Sequence, residues 1–132
     1  MADYTAMRFD QMEPIFDGMF LRARASLGVE SFGMQILQMS PENANGYPNH
    51  DHSHDGQEEV YVILEGSADF EIEGARVAAE PNMAIRVGPD AKRKILPGAD
   101  GVRILALGGV PAGTYKPPEF TNLGGPEPGP GQ

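Results

Sequence analysis

All three histidines of the chain stand at positions 50, 52 and 54, and Glu58 and Glu59 follow closely behind them. Imidazole nitrogen and carboxylate oxygen are the donors that suit divalent iron, manganese, nickel, copper or zinc. On a strand, residues two apart project to the same face roughly 7 Å apart. Two alternate histidines can therefore converge on one ion, and a glutamate returning on an antiparallel neighbour can complete the set. His50, His52, His54 and Glu59 are the candidate ligands. Two histidines and one carboxylate leave coordination positions open to water, oxygen or a substrate.

Positioning such donors requires strands. The 132-residue chain is long enough for one modest core. Its 17 glycines and 12 prolines interrupt any long helical periodicity, which points to an all-β fold. A net charge of −9 argues against nucleic acid and anionic membrane surfaces as partners. Without cysteine, disulfides, thiolate metal sites and cysteine nucleophiles are excluded. The N-terminal residues lack a secretory pattern and no apolar run reaches membrane-spanning length, so a cytoplasmic location is expected.

Hydrophobic patterning divides the chain into an N-terminal segment (1–19), a β-barrel (20–120) and a flexible Pro/Gly-rich tail (121–132). Phe9, Met12, Ile15, Phe16 and Met19 allow a short helical turn. Alternation predicts strands over 19–25, 34–39, 59–64, 67–73, 76–79, 83–87, 92–96 and 102–107. Asn45-Gly46, Glu65-Gly66, Gly74, Pro81-Asn82 and the segment 97–101 read as turns between them. Short strands at about ten-residue intervals fit a sandwich or barrel. From Gly124 the chain reads GGPEPGPGQ, a composition too poor in apolar residues to bury, and disorder is expected there.

Gly46, His52, His54, Glu59 and Gly66 fill every interval of the pattern Gly-x5-His-x-His-x3–4-Glu-x6-Gly. This resembles the first conserved motif of the cupins, and the resemblance extends over roughly residues 34 to 108. It implies a single-domain cupin-type β-barrel, a double-stranded β-helix or jelly roll, carrying a divalent metal. The second cupin motif runs from Pro-Gly-Asp through a strand to a fourth ligand, histidine. Here that stretch starts at Pro81-Asn82 and carries Arg93 where the histidine is expected. Arginine stays protonated and does not ligate metals. Two readings follow: a guanidinium in the pocket holding a carboxylate or phosphate, or a solvated basic turn with Lys92 and Lys94.

The histidine register stays open between two pairs. The motif intervals select His52 and His54, but His50 and His52 serve equally if the following loop, 53–57, is longer. His50 and His54 lie about 13 Å apart on an extended strand, too far to share one ion with His52 unless the chain bends. A solvated hairpin binding metal adventitiously is the bland alternative. The interval to Gly66 turns Glu59, Tyr61 and Ile63 inward, and Glu58, Val60, Val62 and Leu64 outward. Tyr61 is then either a hydroxyl of the pocket or a core aromatic.

These residues support a small metalloenzyme acting on a small organic substrate, with Tyr61 and Arg93 as catalytic candidates and Arg93 or Arg86 orienting an anionic group of that substrate. Cupins include dioxygenases, isomerases, epimerases, decarboxylases and cyclases, so the resemblance does not select a reaction. A non-catalytic small-ligand binder and a barrel that has lost its metal are the alternatives. The resemblance also implies a homodimer, with the Val60, Val62 and Leu64 face covered by the second sheet or by a partner.

Overall fold

The computed structural model describes residues 2–43 and 47–128. Asn45 and Gly46, the expected turn and the opening glycine of the motif, lie outside the described residues, as does the tail end, 129–132. Among the described residues, seven antiparallel strands form the fold: β1 (Pro14–Ile15), β2 (Phe20–Leu21), β3 (Gly33–Met39), β4 (Glu58–Ile72), β5 (Ala75–Ala79), β6 (Ala84–Val87) and β7 (Arg93–Gly109). The strand order is β1-β2-β3-β7-β4-β5, with β6 on the first half of β4. This is the all-β jelly-roll architecture. No helix among the described residues is long and apolar enough to cross a membrane.

β4 and β7 build both walls. The first half of β4 pairs with β6 on one side and with residues 104–109 of β7 on the other. Its second half pairs with β5 and with residues 93–97 of β7. The register slips between Ile63 and Glu65 and again between Gly66 and Ala68. A single inserted residue moves every following side chain to the opposite face. Inward positions accordingly change from Tyr61 and Ile63 to Ala68 and Phe70 on β4, and from Ile95 to Val102, Ile104 and Ala106 on β7. Glu65-Gly66 and 97–101, expected as turns, are therefore bends within continuous strands, and the paired predicted strands on either side are halves of one.

Tyr61, Phe70, Leu37, Ile95 and Ile104 are all essentially without solvent contact at the centre of the core. The Tyr61 and Phe70 rings meet edge to face at 5.1 Å, an arrangement worth roughly 1 kcal/mol beyond burial. The outer face of β3 is covered by Met12, Leu21 and Ala23 packed around Ile36.

The strand expected over 19–25 is only Phe20–Leu21. Ala23–Leu27 is instead a short helix, α1, closed by Gly28 in the left-handed conformation. Alternation of Arg with Ala imitated a half-exposed strand. Both arginines are in fact buried. Arg22 pairs with Glu13 and donates to the carbonyls of Phe120 and Gly125, while Arg24 donates to Val29 O and Asn122 Oδ1. The only N-terminal helical turn among the described residues is the 3-10 turn Phe9–Gln11. From Gly124, where disorder is expected, the chain packs back on the N-terminal segment: Gly124 N–H donates to Glu13 and Phe16 N–H to Glu127.

Gly66 has φ +74°, and a Cβ there would lie 2.1 Å from the Gly101 carbonyl oxygen. Gly74, at φ +83°, has open space around it. Gly66→Ala is expected to cost more than about 3 kcal/mol of unfolding free energy, and Gly74→Ala about 1 kcal/mol. Urea denaturation of both variants checks this; equal losses would contradict the close approach.

Candidate metal and ligand site

The segment 50–52 enters the barrel mouth along the start of β7. His50 N–H donates to Arg93 O at 3.0 Å and Arg93 N–H to His50 O at 2.8 Å, while His52 N–H donates to Pro89 O at 2.8 Å. A tight turn follows, with Gly56 N–H donating to His52 O. The chain then re-enters as β4, with Glu59 facing inward in phase with Tyr61. One donor atom from each of His50, His52 and Glu59 lies within 4.8 Å of the others.

His54 is not brought into this group. Its side chain is 75% exposed and lies on the turn, with Nε2 3.5 Å from Asp55. The longer loop over 53–57 thus brings His50 and His52 together with Glu59. Glu58 faces outward and accepts from Arg86 Nε at 2.8 Å, so Arg86 is a surface ion pair away from the pocket. Arg93, by contrast, is wholly buried. Arg93 shares its phase along β7 with the core residue Ile95, which overturns the solvated-turn reading.

Hydrogen bonds around the two rings set their donors. A carbonyl only accepts, so the 2.9 Å contact between His50 Nδ1 and Pro48 O requires Nδ1–H and leaves Nε2 with its lone pair. His52 Nδ1 faces both oxygens of Asp55 at 3.1 and 3.2 Å, and its Nε2 lies 3.2 Å from Glu59 Oε1. Asp55 is itself fixed by the Gln57 backbone N–H and by Nε2 of the buried Gln57 side chain. With Nδ1–H given to Asp55, a neutral His52 turns a lone pair toward the Glu59 carboxylate. That contact is stable only with a positive charge on it, a proton or a metal ion. Anchoring the second ring nitrogen to a carbonyl or carboxylate is the arrangement that orients histidine ligands. The donor set therefore fits a divalent transition metal.

Burial lowers the His50 pKa. Burial also acts downward on His52, but hydrogen bonds and charge from Glu59 and Asp55 outweigh it and the pKa rises. Glu59 shows the converse balance: burial pushes its carboxyl up, and His52, Tyr61 and Arg93 together bring it below the usual range. Tyr61 O–H donates to Glu59 Oε1 at 2.6 Å, and its oxygen lies 3.1 Å from the Tyr47 hydroxyl. Burial first, then neighbouring groups including the Glu59 charge, pushes both phenols well up, so they remain neutral donors.

Tyr47, Pro48 and Asp55 were not singled out from the sequence. Asp55 carried a usable signal, an acidic residue three positions after His52 within a turn. Tyr47 and the Pro48 carbonyl carried none, because their role depends on how the 47–50 segment folds back over Tyr61. In metal-free protein at neutral pH, imidazole 15N–1H correlations should show His50 as the Nδ1–H tautomer. An Nε2–H tautomer at His50 would contradict the Pro48 anchor.

No protein-family model and no curated protein sequence matches the chain. Solved structures do. A cupin protein from Bacteroides fragilis is 26% identical over 92% of this chain and 95% of its own, with a TM-score of 0.64. The cupin_2 domain of an XRE-family transcriptional regulator from Enterobacter cloacae is 16% identical, covering 64% of this chain and 86% of that one, with a TM-score of 0.54. KdgF from Halomonas sp. is 11% identical over 61% and 69% of the two chains, with a TM-score of 0.52. The jelly roll, the His-His-Glu cluster at its mouth and these likenesses agree: the chain belongs to the cupin superfamily.

Proposed function

We propose that the protein is a metal-dependent cupin enzyme that holds a divalent transition metal through His50, His52 and Glu59 and acts on a small organic substrate. The observation that carries this reading is the convergence of two anchored imidazoles and one carboxylate within 4.8 Å. His52 and Glu59 are 14% and 15% exposed, so the cluster is reachable from the mouth. A bound divalent ion would supply Lewis acidity or, with a redox-active metal, oxygen activation at the positions these three donors leave open.

The remaining residues support that centre. Asp55, held by Gln57, orients His52, and the Pro48 carbonyl orients His50. Tyr61 is a positioning residue: its neutral O–H holds one Glu59 oxygen, and Tyr47 stands behind it. Tyr61, Phe70, Ile95 and Ile104 fill the barrel below Glu59. This packing leaves the mouth as the place where a substrate would meet the cluster.

Elemental analysis of untagged protein purified without chelator tests the reading. Wild type and His54→Ala are each expected to carry about one equivalent of a single metal. His50→Ala and Glu59→Gln, confirmed folded by circular dichroism, are expected to retain less than about a tenth of it. Substoichiometric metal in the wild type, or its loss in His54→Ala, would contradict the proposal. Stoichiometric metal with ligand binding and no turnover across oxygenase, isomerase and lyase assays would replace the enzyme by a binding protein on the same site.

A further inference from the structure

Arg93 stands out among the buried groups of the barrel. Its side chain has no solvent exposure, yet among the described residues Nε and Nη1 have no hydrogen-bond partner. Nη2 alone is satisfied, donating to Gly88 O at 2.8 Å with Val87 O at 3.5 Å. Nη1, one of the unpartnered nitrogens, is the one facing the cluster, 3.7 Å from Glu59 Oε1. A buried donor without an acceptor is costly, and a buried guanidinium more so. Natural structures leave few such groups unexplained, and a missing ligand is one explanation.

Charge points the same way. Arg93 offsets the single negative charge that Glu59 brings to the triad. Beyond Glu59, the carboxylate that meets the cluster among the described residues is Asp55, across the His52 ring and partly in water. The loaded site carries excess positive charge in a poorly solvated place. It calls for an anion that reaches both the open side of the triad and Nη1.

We infer that Arg93 is the anion-binding element of this site and that the substrate carries a carboxylate or phosphate oxyanion, seated between Arg93 Nη1 and the His50–His52–Glu59 cluster. The inference rests on the metal-centre reading for the placement of that anion, and it names the substrate class. Arg93 fixes the substrate's charged end and thus the end presented to the open positions. Guanidinium suits this role because it stays charged when buried and offers several directed N–H groups.

Calorimetric titration of zinc-loaded and metal-free protein with acetate, and separately with methyl phosphate, tests the inference, with metal content measured on the same samples. Zinc-loaded wild type is expected to bind at least one of the two anions. Arg93→Met is expected to keep its metal and melting temperature while binding that anion at least tenfold more weakly, with Arg93→Lys intermediate. Acetate binding alone identifies a carboxylate, and methyl phosphate binding alone a phosphate. Should both variants unfold, the guanidinium 13C and 15N resonances of Arg93 in the wild type are expected to shift with anion at the same midpoint as the calorimetry. Full metal with equal anion affinity in wild type and Arg93→Met, or unmoved Arg93 resonances, overturns this inference alone. Absence of zinc uptake by the wild type overturns the metal centre instead, and the metal-free titration then still reads Arg93.

Discussion

The pair of backbone hydrogen bonds between His50 and Arg93 is the constraint on which the site depends. It pins the otherwise irregular 47–57 segment to the first residue of β7. One bridge thereby fixes a candidate metal donor and the buried guanidinium in the same register. Through the pairing of β7 with β4, it also fixes both relative to Glu59. The barrel supplies a rigid frame, and the bridge converts a histidine-rich loop into part of that frame. Loop-borne functional residues held by a rigid scaffold are a common solution.

Around this bridge, each polar group near the mouth is oriented by another. Gln57 fixes Asp55, Asp55 turns His52, and His52 meets Glu59, which also accepts from Tyr61. Such a chain favours preorganisation, because few rotamers satisfy all of its contacts at once. The apolar packing of Tyr61 on Phe70 anchors the inner end of the chain in the core. The exception to this mutual satisfaction is Arg93, whose Nε and Nη1 have no hydrogen-bond partner among the described residues.

Much of this was legible in the sequence, for identifiable reasons. Glu59, Tyr61 and Ile63 sit in an uninterrupted β-branched and aromatic run, so period-two alternation assigned their face directly. The cupin intervals located His52 and Glu59 and pointed to Arg93 as the residue in the fourth-ligand position, but they selected His54 where the structure brings in His50. What was not legible depended on irregularities. The bulges near Glu65-Gly66 and across 97–101 flip the inward phase, and glycine and proline at those points imitate turns. The His50 or His54 choice rested on how a five-residue loop bends, which intervals alone do not encode. The burial of Arg22 and Arg24 was not legible because partners such as Phe120 O and Asn122 Oδ1 lie about a hundred residues away.

The central claim is that His50, His52 and Glu59, and not His54, form one metal centre at the barrel mouth. Anomalous diffraction at the zinc edge from crystals of zinc-loaded protein tests it most directly. The account predicts a single strong peak bounded by His50, His52 and Glu59, with Arg93 adjacent and His54 outside. A peak bounded by His52 and His54, or zinc found only at surface carboxylates, would contradict it.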